Sequence, residues 1–291
     1  MNPVANYHTH TFRCGHATGD VPDYARSASD KGARVLGMTD HVPFPKIDKT
    51  WWHSTRMTFE QMDEYEQAIA EARITYPKLT ILKGFECEYF RELHGYFEEE
   101  LFGRRRCDYL IAGTHNIYFD SEWTGYDTPQ KLSVYTDSVV ASIESGLFAF
   151  IAHPDAFGAE YPDWDAHARS CSRAILEAAS EYGVPLEING YGMRKRRIET
   201  TAGLRWIYPL LPFWEMATEY AIEVVCNSDA HRPEDVLANI EEGYALARRY
   251  NLNITDLTLQ NGDTAAVSRA VERDRRHSVS HSPSLVPPEV L

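Results

Sequence analysis

The chain has 291 residues, with 29 Lys and Arg against 43 Asp and Glu, and so a formal net charge of −14. That balance disfavours a nucleic-acid polymer or an anionic membrane as partner, because both are held by clustered basic side chains. A hydrophobic share of 43% and a charged share of 25% belong to a folded globular chain, not a disordered or fibrous one.

In chain order, short apolar runs alternate with helical patterns, the signature of βα units and a parallel sheet. A first run over 4–10 is followed by a helix over 21–31, and a second run covers 33–40. Thr58 with Gln61 forms a capping box that opens a helix to about Tyr76, where Pro77 stops it. Runs at 79–86 and 107–115 come next, then Thr128-Pro129 starting a helix that Gly146 closes. The fifth run, 147–153, precedes a helix over 166–182 and the sixth, 184–189; the seventh, 221–229, precedes a helix over 233–250. Aromatic-rich segments 42–57 and 190–220 read as loops around a site, and Trp51-Trp52-His53 within the first as packing on its rim. One α/β domain over 1–270 is expected, with a Ser/Pro-rich, poorly ordered tail over 271–291. Five cysteines stand singly with no CxxC pair, which argues against a disulfide framework. Without an apolar leader or a long apolar run, a cytoplasmic location is expected.

Chemistry gathers where each run ends, the end at which parallel α/β barrels carry their sites. The runs finish in His8-Thr-His10 with His16 shortly after, Asp40-His41, Glu86-Cys-Glu88, Thr114-His115, His153-Pro-Asp155, Glu187-Ile-Asn189 and Asp229-Ala-His231. Residues i and i+2 of a strand share a face, so His8 with His10, and Asp229 with His231, can converge. Asp40 and His41 point oppositely on a regular strand, so one of them is the ligand. Such a set of imidazoles and carboxylates exceeds the needs of one ion and suits two or three divalent ions, zinc, manganese or iron. Three ions against Glu86 and Asp229 leave about +4, a local positive site suited to a small phosphorylated substrate.

The set resembles the polymerase and histidinol phosphatase (PHP) superfamily, whose pattern is HxH, a following His, a single His, a Glu, two further His and a closing DxH. The resemblance implies the metal ligands His8, His10, His16, His41, Glu86, His115, His153, Asp229 and His231, on a distorted TIM-like (β/α)7 barrel in one domain. Within the superfamily, HTHTFRCGHATGD, TDHVPFP, GFECEY, AHPD and EINGYGMRK are most similar to stand-alone histidinol-phosphate phosphatases. That implies hydrolysis of L-histidinol phosphate in histidine biosynthesis, by a metal-bridging hydroxide attacking phosphorus in line. Asp229, or a histidine such as His231, could pass a proton to the leaving alkoxide. Arg194, just past the sixth run, is the candidate phosphate clamp, since guanidinium grips two oxygens. Glu187 and Asn189 face one side together and are candidates for holding a substrate amine or for supporting ligands; Glu88 is a candidate support. Cys14 and Cys87 read as packing residues, and His94, His167, His277 and His281 as surface ones. Two alternatives stand: a phosphoesterase for nucleotides, such as a nucleoside 3′,5′-bisphosphate, and a non-catalytic metal-binding regulatory module. Oligomeric state is not legible.

Overall fold

The computed structural model describes residues 4–45, 55–117, 125–201 and 203–257. Four parallel strands pair in sequence order: β1 (Ala5–Asn6), β2 (Val35–Met38), β3 (Thr80–Cys87) and β4 (Tyr109–Ala112). A second set holds β5 (Leu186–Asn189) parallel to β8 (Glu223–Asn227), with a small antiparallel hairpin of β6 (Ile198–Thr200) and β7 (Gly203–Arg205) between them in sequence. Single parallel bridges join the halves, Ala112 to Ile151 and Ile151 to Leu186, and Thr9 to Ala230 closes the ring. Seven chain segments thus curl into one distorted barrel, in the order the seven runs predict. At the other end of β8, Glu223 and Val224 pair with β9 (Asn253–Ile254).

Around the barrel lie α1 (Val21–Asp30), α2 (Phe59–Thr75), α3 (Pro129–Glu144), α4 (Ala166–Tyr182), the short α5 (Gly190–Arg194) and α6 (Leu211–Met216), and α7 (Ile240–Arg249). The capping box and the proline start are those the sequence predicts. Thr58 and Gln61 make both hydrogen bonds of the capping box before α2, Thr128 caps α3 with Pro129 in its first turn, and Gly183 ends α4 in the left-handed region. Two apolar layers result. Ala5, Tyr7, Val35, Leu82, Tyr109, Ile111, Phe150, Ala152 and Val225 fill the lumen, and the larger cluster packs sheet against helices. Gly37 lacks a side chain where a Cβ would overlap the Tyr109 hydroxyl, so the ring of Tyr109 can cross the lumen.

The structure corrects three details. The fifth run, 147–153, hydrogen-bonds both neighbours but its ladder is one bridge long at Ile151, since His153 leaves the extended region (φ 31°). The last helix starts only at Ile240, because Asn239 is left-handed (φ 60°) after a short turn at Pro233–Asp235. The 190–220 loop holds α5, the β6–β7 hairpin and α6. Trp51, Trp52, His53, His277, His281 and the expected tail lie outside the described residues.

Candidate metal centre

Period-two alternation on β3 carries the lumen face from Leu82 through Gly84 to Glu86, so the carboxylate emerges at the barrel's mouth. Five histidines ring it. Glu86 Oε2 lies 3.2 Å from His8 Nε2 and from His10 Nε2 and 3.4 Å from His41 Nδ1, while Oε1 lies 3.0 Å from His153 Nε2 and 3.5 Å from His115 Nε2. Asp229 Oδ1 forms a second focus, 3.5 Å from His8 Nε2, 3.2 Å from His10 Nε2 and 3.3 Å from His231 Nδ1. The ring of His16 completes the set, 5.4 Å from that of His41 and 5.0 Å from that of His231. All nine ligands expected from the sequence therefore converge.

The donor set fits divalent metal ions. His8, His10 and Asp229, then His10, His41 and His231, then His41, Glu86 and His115, each bring three ligand atoms within reach of one ion. Asp229 Oδ1 and the Nδ1 atoms of His10, His41 and His153 are buried without a hydrogen bond. Each such atom costs about 1–3 kcal/mol unless something binds there, and imidazole mixed with carboxylate is a donor set for zinc, iron or manganese. Electrostatics agree. Burial opposes protonation of His8, but Asp229, Glu187 and Glu86 outweigh it and hold the imidazole well above its usual range. Burial likewise opposes ionisation of Glu86 and Asp229, yet the surrounding histidines keep both well below the usual carboxylate range. Burial and neighbouring imidazoles push His41 and His231 well down, toward the neutral form a metal requires.

Of the adjacent pair, His41 enters the centre. Asp40 instead accepts from the Thr11 N–H and hydroxyl and from the His41 N–H, tying two loops together behind His10. Glu88 accepts two 3.0 Å hydrogen bonds from Arg56 and approaches His115 Nδ1 at 3.3 Å. Burial would raise its pKa, but Arg56 and His115 bring it down to about 2.

Arg194, the candidate phosphate clamp, is engaged by acceptors of the protein itself. Its guanidinium donates to the carbonyls of Ser228, Asp229 and Ala238 and to Asn239 Oδ1, bracing the turn that presents Asp229. Asp229 has φ 49° and His153 φ 31°, so two of the expected ligands occupy backbone regions that side-chain-bearing residues seldom adopt. The adjacent Lys195 faces the centre's edge. Its ammonium donates to the Tyr208 hydroxyl at 3.0 Å and sits 4.4 Å from the Tyr191 ring, which stacks 4.4 Å from His231. Tyr208 in turn lies 5.7 Å from His153. In the run Arg194-Lys-Arg-Arg197 only the phase of the single-turn α5 decides which cation faces the site, and composition holds no such signal. Glu187 and Asn189 are 0% and 1% exposed, beneath the ligands. At that depth their hydrogen bonds go to His8, the His153 N–H, Asn227 and Asp229. Asp155, just after His153, accepts from Leu210 N–H and Trp214 Nε1 and so anchors the segment bearing Tyr208; nothing in the sequence pointed to this link. Cys87 is buried in the apolar core, Cys14 is buried beside His10 and Asp40 with its thiol donating to the Thr11 carbonyl, and His94 and His167 pair outside the centre with Tyr89 and with the Pro129 carbonyl.

Barrel and centre together define an α/β-barrel protein with a multi-ligand His/Asp/Glu metal centre at its mouth. Residues 6–190 match the PHP domain, and the chain belongs to that family. It is 31% identical over 255 residues to a probable histidinol-phosphatase of Deinococcus radiodurans, covering 81% of this chain and 89% of that one. A probable phosphatase of Aliivibrio fischeri is 25% identical over 255 residues, covering 87% and 88%. Among solved structures, the histidinol phosphate phosphatase of Lactococcus lactis, complexed with zinc, L-histidinol and phosphate, superposes with a TM-score of 0.64 at 16% identity, covering 86% of this chain and 95% of that one. At that identity the likeness bears on the fold.

Proposed function

We propose that this chain is a metal-dependent phosphomonoesterase that converts L-histidinol phosphate to L-histidinol and phosphate, in cytoplasmic histidine biosynthesis. One observation carries the reading: nine histidine and carboxylate ligands converge around Glu86 and Asp229, with the Lys195 ammonium at their edge. The Deinococcus and Lactococcus relatives support the choice of substrate. Two or three ions, zinc, manganese or iron, would be held by His8, His10, His16, His41, Glu86, His115, His153, Asp229 and His231. When bound, they supply a Lewis acid that brings the pKa of water toward about 7 and neutralises phosphoryl oxygens.

The chain's own groups do the rest. Lys195 holds the phosphate by charge, its ammonium set 4.4 Å from the Tyr191 ring and 5.2 Å from the Tyr208 ring. Burial of its ammonium end lowers its pKa, and an anionic phosphate beside it would favour the charged form. Asp229 Oδ1 and His231 Nδ1, 3.3 Å apart, would take up the proton that the attacking water loses and relay it to the leaving alkoxide. Arg194 keeps the Asp229 turn in place.

The test is phosphate release by zinc- or manganese-loaded protein from L-histidinol phosphate, a nucleoside 3′,5′-bisphosphate and p-nitrophenyl phosphate. We expect kcat/KM of about 10⁴ M⁻¹s⁻¹ or more for the first, leading the panel by orders of magnitude. A lead for the bisphosphate moves the substrate to nucleotides, and silence with metal bound overturns the enzymatic reading. Lys195→Met should raise KM and weaken inhibition by phosphate by about tenfold or more, whereas Arg194→Met should chiefly lower stability.

A further inference from the structure

Beneath the ligands lies a carboxylate whose every hydrogen-bonding place is filled. Glu187 Oε1 accepts from His8 Nδ1 at 2.8 Å and from Asn227 Nδ2 at 2.9 Å, and Oε2 accepts from the His153 N–H at 2.9 Å and from Asn189 Nδ2 at 2.8 Å. Three of these donors cannot exchange roles. The His153 N–H is backbone. Asn227 turns its Oδ1 to the Tyr7 N–H, and Asn189 turns its Oδ1 to the Tyr191 and Gly192 N–H groups, so each amide must offer its NH₂ to Glu187. The one remaining contact joins Oε1 to His8 Nδ1, and because imidazole is a stronger base than carboxylate, its proton lies on Nδ1. With Nδ1 committed to Glu187, Nε2 is the nitrogen at which a metal ion would displace the second ring proton, among Glu86 Oε2, His10 Nε2 and Asp229 Oδ1.

We propose that Glu187 is a positioning residue: it locks His8 in the Nδ1–H tautomer, thereby assigning Nε2 as the metal-binding atom. The same floor acts on Asp229, because Asn189 Nδ2 also donates to Asp229 Oδ2 at 3.0 Å and leaves Oδ1 for the metal. The inference rests on the metal centre alone and is independent of which phosphate ester is hydrolysed. It also specifies why glutamine is no substitute. An amide NH₂ in place of Oε2 would face the donors of His153 and Asn189. In place of Oε1 it would face Asn227 and could satisfy His8 only by donating to Nδ1, which moves the imidazole proton to Nε2 and into the metal site.

The experiment is long-range ¹H–¹⁵N NMR of the zinc-loaded protein, the His8 signals being those lost in His8→Asn, alongside zinc affinity by chelator competition. In the unsubstituted protein, the His8 proton should reside on Nδ1 and exchange slowly with solvent. Glu187→Gln should lose zinc affinity by about 10–100-fold together with that Nδ1–H signal. A proton on Nε2 in the unsubstituted protein overturns the proposal even if Glu187→Gln does not fold. So does a folded Glu187→Gln protein with unchanged zinc affinity and an unchanged His8 spectrum. Neither readout depends on turnover, so failure of the substrate assignment leaves both interpretable.

Discussion

The floor and the rim of the metal centre orient their histidines by opposite means. At the floor, Glu187 is held by two amides, a backbone N–H and the His8 imidazole, with no lysine or arginine paired to it among the described residues. At the rim, Glu88 orients His115 while held by a buried bidentate arginine, Arg56. The His8 side chain is 0% exposed, whereas that of His115 is 40% exposed. Hydrogen bonds fixed by the barrel's own strands serve where the fold is rigid, and an arginine counter-charge appears where the supporting segments are loops. The buried floor keeps its hydrogen-bond frame when metal arrives and gives up only ring protons.

The largest test of this contrast is removal of metal. Chelation should take turnover to background and lower Tm by on the order of 10 °C, corresponding to about 4 kcal/mol at a thousandfold excess over Kd. A Tm indifferent to chelator would mean that the buried ligands are satisfied without ions. Next, Arg56→Met strands Glu88 without its counter-charge and should cost about 3–5 kcal/mol in urea unfolding, with the metal content of the floor retained; no loss would place the rim's stability elsewhere. Gly113→Ala adds a Cβ that overlaps Glu86 Oε1, the atom facing His153 and His115. We expect about 1–3 kcal/mol of destabilisation and roughly tenfold lower kcat in steady-state assays, and an unaffected kcat would show that Glu86 can shift freely. The smallest effect belongs to the rim ligand itself. His115→Asn should weaken metal binding by about tenfold and leave the metal-free Tm nearly unchanged, and a cooperative loss of the whole centre would erase the distinction between rim and floor.

The ligands were legible because a parallel barrel puts each strand's last residue at one mouth, so a list of strand ends is already a list of neighbours. His8, His10 and Glu86 follow from period two alone, and seven strand positions follow from apolar runs. What stayed hidden depends on turns of one or two residues. Arg194 and Lys195 are adjacent in sequence, yet α5 sends one to backbone carbonyls and the other to Tyr208. Glu187 and Asn189 are polar residues on a strand facing inward, which fits a substrate contact and a supporting contact equally until depth is known. His153 shortened its strand because its left-handed backbone, set by the site, overrides the apolar pattern that precedes it.

Asn189 joins two regions that would otherwise be separate machines. Its NH₂ holds Asp229 and Glu187 in the floor, and its oxygen caps α5, the turn that carries Arg194 and leads into Lys195. Arg194 then returns from that turn to the carbonyls of Ser228 and Asp229, closing a mechanical loop. The cation proposed to meet the substrate and the carboxylate proposed to meet the metal are thus mounted on one bracket, and their spacing is a property of that bracket. A change that tilts α5 would detune both at once, as moving one pillar shifts both leaves of a hinged gate.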